Sequence, residues 1–230
     1  MRSTDDQTAI EEWQAARSRV VALVGGLGDE LLGTHVPACP DWTVRDLLSH
    51  MVGLGADVVA GDEPDDHNAT WTQAQVDARA NRTAAELLDE WAEVAPRLVS
   101  WMEHHGVRPL NDVVIHEQDL RSALGRPGGR ETLGFRLVRE RMLERFAAIV
   151  ETLPPLTLVG HASDGTGWRW SSDHDAQGAL VEASSFDLSR ALTSRRTAEQ
   201  LRGWTVRGDV TPFLGAFARL GPLPREPLPE

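Results

Sequence analysis

Apolar residues recur every three to four positions over residues 5–32. Ile10, Trp13, Ala16, Val20, Val21, Val24 and Leu27 carry the stripe, with charges between them. This is the period of a helix lying on a core. Gly25 and Gly26 predict an interruption near its end. Residues 36–43, Val-Pro-Ala-Cys-Pro-Asp-Trp-Thr, predict a proline-punctuated loop. Thr43 then suits a helix N-cap, although Asp46 stands where the usual capping box has Glu or Gln. Val44, Leu47, Leu48, Met51, Val52 and Leu54 form the next stripe, with His50 at its rim.

Residues 61–70 read as a polar loop. A long helical stretch follows over 71–105, with Thr83 offering an internal restart and Pro96 predicting a kink. Gly106 ends it, and Pro109 opens the next helix, which runs to about Leu124. Gly125-Arg-Pro-Gly-Gly129 stops that helix, and another covers about 132–153.

The grammar changes at Pro154-Pro155. Residues 156–161 predict a strand, 164–167 a hairpin turn, 168–170 its return strand and 179–183 a third strand. Trp168 and Trp170 alternate about Arg169, so they share a face and are expected to pack between the two modules. Ser184 or Ser185 caps a helix through Phe186, Leu188, Ala191 and Leu192. Residues 204–208 predict a last strand, 212–220 a terminal helix, and the proline-rich tail a loose end. The expected fold is therefore α plus a small α+β part, divided into residues 1–153 and 154–230. No internal repeat and no low-complexity segment interrupts it.

Composition narrows the classes of function. The formal net charge is −12, which argues against a nucleic-acid partner or an anionic membrane surface. Cys39 is the single cysteine, so no disulfide framework exists within the chain. Neither a signal-peptide pattern nor a membrane span is visible, and a cytoplasmic protein is the expectation. Arginine supplies every basic position and tyrosine is absent beside eight tryptophans.

Residues 112–119, Asp-Val-Val-Ile-His-Glu-Gln-Asp, carry the most specific chemistry. On a helix Asp112 and His116 lie one turn apart on one face, and Asp119 lies three residues further on. The apolar Val113, Val114 and Ile115 between them suggest that this face points inward. Buried charges persist when they are paired or bind something. One reading is a metal site, in which facing helices bring His50 to the acid and imidazole; two histidines and a carboxylate suit zinc, nickel or iron. Asp119 then orients a ligand from behind. The other reading is plainer: Asp112 caps or pairs near the helix start and His116 packs. Cys39 reads as structural, His104 and His105 as complements to a helix C-terminus, and His161 and His174 show no ligand spacing.

Pro37-Ala-Cys-Pro-Asp-Trp-Thr-Val-Arg-Asp-Leu-Leu-Ser-His50 resembles a conserved block of the mycothiol-dependent maleylpyruvate isomerase family, within the DinB/YfiT-like metal-binding helical bundles. Residues 112–119 resemble that family's acid-x-x-x-His-x-x-Asp block, with aspartate where the isomerases have glutamate. Residues 186–196 and 200–209 look like the C-terminal module of actinobacterial members. The resemblance implies an N-terminal DinB-like four-helix bundle with a C-terminal α+β module. It implies a divalent metal, zinc foremost, held by His50, Asp112 and His116, with Asp119 behind them.

It further implies mycothiol as thiol cosubstrate and a small electrophile as substrate. A coordinated thiol loses its proton near neutral pH and becomes a nucleophile. In the isomerase, thiolate addition to a cis double bond permits rotation, and elimination releases the trans product. A diacid substrate needs cationic clamps, for which Arg79, Arg82 and Arg195 or Arg196 are the candidates. The expected activity is that of an isomerase or S-transferase, in a monomer or homodimer. The alternatives are a metal-binding or sensor protein without turnover, and a scaffold that has kept the motif without metal.

Overall fold

A computed structural model describes residues 4–64, 68–162, 165, 167–173 and 176–230. The chain divides into two compact units, Met1–Phe135 with Pro229–Glu230, and Arg136–Leu228. Helix content dominates the first, and a small sheet with one long helix and several short ones makes up the second.

The first unit begins with α1 (Thr4–Val24). Its stripe is buried through Ile10, Trp13, Ala16, Val20 and Val24. The helix stops at Gly25-Gly26, where Gly26 takes a positive φ of 80°, and a single turn, α2 (Asp29–Leu32), follows. The segment read as a loop instead forms a hairpin of β1 (His35–Val36) and β2 (Cys39–Thr43), paired antiparallel. Strands this short leave no alternation for the sequence to display.

Helix α3 (Val44–Ala60) starts at Thr43 through a complete capping box. The Asp46 carboxylate reaches back to the Thr43 amide at 2.8 Å. Aspartate therefore does here what glutamate or glutamine usually does.

The long stretch expected over 71–105 is two helices, α4 (Ala69–Asp77) and α5 (Ala84–His105). Thr83 is the restart. Its hydroxyl accepts from the Glu86 amide, and Glu86 closes a second capping box. Helix α5 runs on through Pro96 to Gly106, where φ is 103°.

Helix α6 (Pro109–Ala123) is buried on most of its circumference, from Leu110 through Val113, Val114 and Ile115 to Leu120. That explains the apolar run between the polar positions, since a helix enclosed on all sides needs no polar face. It packs on α1 and α3, while α5 packs on α3 and α1. Glu117 is buried on α6 and takes a two-pronged contact from Arg19 of α1, Nε to Oε1 at 2.9 Å and Nη2 to Oε2 at 2.8 Å. Arg121 adds a bond to Oε1 at 3.0 Å. The two guanidinium groups placed against it supply the partners that an enclosed carboxylate needs. The end of the chain, expected to be loose, returns to this unit: the Ser122 hydroxyl donates to the Pro229 carbonyl at 2.8 Å.

Helix α7 (Leu133–Val150) supplies most of its length to the second unit. Phe146 meets Trp170 and Phe217 there, at ring-centroid distances of 5.5 and 4.7 Å. The change from helix to strand at Pro154-Pro155 thus falls inside this unit. Strands β3 (Leu156–His161), β4 (Trp168–Ser171), β5 (Ala179–Ser184) and β6 (Thr205–Arg207) form one sheet in the order β4-β3-β5-β6. The central pair β3 and β5 is parallel, and both outer pairs are antiparallel. Trp168 lies over Gly160 and donates to the Ser185 hydroxyl at 2.9 Å.

Helix α8 (Ser185–Ala191) is capped by Ser184. Helix α9 (Ala198–Gly203), not anticipated, is opened by a capping box of Thr197 and Gln200. The terminal helix expected over 212–220 shrinks to a 3-10 turn, Thr211–Phe213, and one α turn, α10 (Leu214–Phe217). Part of the expected 164–167 turn, and His174, lie outside the described residues. Among the described residues no helix is long and apolar enough to cross a membrane.

Candidate metal centre

Helices α3 and α6 bring His50, Asp112 and His116 together. Their donor atoms all lie within 4.8 Å of one another. His50 Nε2 is 3.3 Å from Asp112 Oδ1, and His116 Nε2 is 3.4 Å from the same oxygen. The two imidazoles meet edge to face, with centroids 5.2 Å apart. One carboxylate oxygen therefore faces the Nε2 of both rings. Ligands held about 2.0–2.1 Å from a tetrahedral zinc ion stand about 3.3 Å from each other. The two separations fit such an ion, and the donor set suits it chemically.

Each imidazole is held from behind at its other nitrogen. His50 Nδ1 lies 2.7 Å from Gln75 Oε1. Gln75 in turn donates from Nε2 to Asp57 Oδ2 at 2.8 Å. That donation turns the amide oxygen toward His50, so Nδ1 is the nitrogen that donates to Gln75 and Nε2 is the one that faces Asp112. His116 Nδ1 lies 2.9 Å from Asp119 Oδ2, and Asp119 is fully buried. Such outer bonds fix ring orientation and tautomer, and they raise ligand basicity.

The charges are coupled. Burial alone would raise Asp112, but the charge of His116 and hydrogen bonds from His116 and His50 outweigh it. The carboxyl is held well below the usual carboxylate range. Burial alone would lower His116, but the Asp112 charge and hydrogen bond outweigh it, with help from Asp119 and Cys39. The imidazole is raised well above its ordinary value.

Two further residues close over the rings from the β1–β2 hairpin. The Trp42 ring lies 5.0 Å from the His50 ring. Cys39 is half-buried, hydrogen-bonds His116, and joins His116 and Asp119 in a second group of convergent donors. His116 is the shared corner of both groups. Sequence reading missed Trp42 as a wall and Cys39 as a neighbour of His116. Their place immediately before the His50 helix was the available signal.

The four arginines offered as clamps sit differently. Arg79 is buried and forks onto Glu90, with Nη2 to Oε1 at 2.6 Å, while its Nη1 donates to the Gln75 carbonyl at 3.1 Å. Arg82 is largely exposed and donates to the other Glu90 oxygen at 2.6 Å. Arg195 and Arg196 are buried in the second unit. Arg195 donates to the Thr193 carbonyl and Arg196 to Asp187. His104 and His105 each reach a carbonyl of the preceding turn, at Ser100 and Trp101. His161 pairs with Glu182 on an exposed face of the sheet.

Close approach of α4 to α3 depends on Gly53, one turn beyond His50. A Cβ there would stand 2.6 Å from Gln75 Cβ and 2.7 Å from Arg79 Nη1. Gly53→Ala is expected to lower stability by about 1–3 kcal/mol through overpacking, despite alanine's better helix propensity. Thermal denaturation of the variant checks this; an unchanged or raised midpoint would show that α4 yields without cost.

The family model described as mycothiol maleylpyruvate isomerase N-terminal domain matches residues 13–121. No curated protein and no solved structure matches the chain. The matched segment runs from Trp13 in α1 to Arg121 in α6, so it contains His50, Asp112, His116 and Asp119. Over residues 13–121, just under half of its length, the chain is thus similar to the mycothiol maleylpyruvate isomerase N-terminal domain.

Proposed function

We propose that this protein is a metal-dependent enzyme that uses mycothiol as its thiol, acting as an isomerase or S-transferase on a small electrophile. The observation that carries the reading is the single Asp112 oxygen facing two imidazole Nε2 atoms at 3.3 and 3.4 Å. His50, Asp112 and His116 would hold the metal, zinc before nickel or iron. Aspartate is one methylene shorter than the family's glutamate, yet its oxygen comes within reach of both rings. The contacts of α1, α3, α5 and α6 in a closed cycle support the DinB-like four-helix bundle.

Bound zinc would supply Lewis acidity that lowers the pKa of a coordinated thiol. The chain's own part is positional. Gln75 and Asp119 aim the two imidazoles, Asp112 contributes the negative charge, and Trp42 excludes water from one flank of His50. Three protein ligands leave a fourth position for the thiol. Arg82 also pairs with Glu90 but is exposed, unlike Arg79, and is the candidate for holding an anionic group of the substrate. Arg79 serves the framework instead, with its charge spent on Glu90.

Cobalt substitution tests the reading. Mycothiol added to the cobalt-loaded protein is expected to shift the d–d bands and add a sulfur-to-cobalt charge-transfer band. A spectrum unchanged across a full titration, in protein with stoichiometric cobalt, would leave a metal-binding protein without thiol chemistry.

A further inference from the structure

Helix α4 lies outside both sequence blocks that carry the ligands, yet it reaches one of them. Gln75 is 2% exposed, on a helix whose other positions are mostly polar or half-exposed. A buried amide must satisfy its oxygen and both hydrogens with partners that suit it. Here the oxygen meets His50 Nδ1 at 2.7 Å and the nitrogen meets Asp57 at 2.8 Å. Asp57 cannot donate while it is ionised, so the amide has one orientation.

The helix is itself pinned. Arg79, one turn on from Gln75, bonds the Gln75 carbonyl and forks onto Glu90 of α5. Gly53 removes the side chain that would otherwise hold α4 away from α3.

Resting on the metal-site reading above, we propose that Gln75 is a positioning residue for the metal centre: with Asp57 behind it and Arg79 and Gly53 fixing its helix, it locks His50 in the Nδ1–H tautomer that leaves Nε2 free to ligate. The device differs from the one behind His116. There a carboxylate, Asp119, supports the ring, whereas a neutral amide supports His50. The pair of imidazoles thus receives one added negative charge from its supports instead of two.

Gln75→Met keeps length and loses the acceptor. It is expected to weaken zinc binding by about 10–100-fold, measured by competition with a chromophoric chelator. The double variant Gln75→Glu with Asp57→Asn restores an acceptor for His50 and a donor for residue 75, and is expected to return affinity to within a few-fold of the parent. Parent-like affinity in Gln75→Met overturns the proposal, as does failure of the folded double variant to recover. His50→Ala run in parallel separates the two readings. Loss of zinc there with parent-like Gln75→Met sinks only the role of Gln75, whereas parent-like zinc binding in His50→Ala sinks the site itself.

A measurement on the unaltered protein stands beside these variants. In the zinc-loaded chain, nitrogen-15 spectra should show His50 protonated at Nδ1 and metal-bound through Nε2. Ligation through Nδ1 would overturn the assignment.

Discussion

Replacing His50 with alanine is expected to reduce the zinc content of anaerobically purified protein from about one ion per chain to a small fraction of that. A structural zinc site needs four ligands and a catalytic one commonly uses three, so losing one leaves two. Two ligands one turn apart on α6 cannot enclose an ion by themselves. The substitution also empties space beneath Trp42, since the His50 ring packs 5.0 Å from it. Thermal denaturation of the metal-free variant separates that packing loss from the loss of metal, because metal-free parent and variant should differ far less than their zinc-loaded forms. His104→Ala, at the exposed end of α5, is the matched control and should keep its metal. Stoichiometric zinc with parent affinity in His50→Ala would remove His50 from the site. Cys39, His116 and Asp119 would then be the group to examine, through Cys39→Ser in the same background.

Much of the first unit was legible because its helices are long and buried on one side. The stripe of α1, the start of α3 at Thr43 and the end of α5 at Gly106 follow from period and capping. The break between α4 and α5 was only half visible. Thr83 announced the restart, but Ala78 and Ala80 suit a helix, and nothing local marks where α4 stops. Helix α9 carried a Thr-x-x-Gln capping box at Thr197 and Gln200 and was passed over, because Leu201 is its single buried residue and no stripe accompanies the cap. The terminal helix expected over 212–220 had the reverse fault: helix-compatible composition without a cap, and only one α turn formed.

The grouping of His50, Asp112 and His116 was legible in two parts. Spacing put Asp112 and His116 on one face, and the packing of facing helices, with resemblance to a known block, pointed to His50. The burial of α6 on nearly all sides accounts for the odd run of apolar residues between the polar ones. Gln75 was invisible because its meaning lies in the approach of α4 to α3, which depends on a glycine 22 positions earlier in the chain, at Gly53. Arg79 was misjudged for the same reason. Read alone it is a cation available to a substrate; in the fold its partner, Glu90, comes from the next helix. The second-unit arginines were likewise read as free cations, but Arg196 lies against Asp187 within one turn-rich segment.

Zinc should stabilise this protein by an increment that grows with pH, while the metal-free protein loses stability over the same range. The signs follow from the coupled pair. In the metal-free chain His116 is raised above its ordinary value near 6.5, after the Asp112 charge has outweighed burial. The folded state therefore holds a proton that the unfolded state releases, and the stabilisation is complete below about 6.5 and lost as pH rises through the folded value. Asp112 is depressed, so its contribution is present above about 4 and lost only as pH falls through its folded value. Between those limits the pair is an ion pair, and zinc must displace the His116 proton to bind. Each displaced proton makes apparent zinc affinity rise about tenfold per pH unit below the folded His116 value, or about 1.4 kcal/mol per unit. At fixed free zinc, the thermal midpoint of the loaded protein should climb with pH up to about 6.5 and then hold level, as the metal-free midpoint falls away beneath it. Calorimetric titration in two buffers of different ionisation enthalpy reads the same proton directly. A binding enthalpy independent of the buffer, or a zinc increment that is flat from pH 5.5 to 7.5, would show that no proton leaves the site. His116 would then not be the residue that the metal meets.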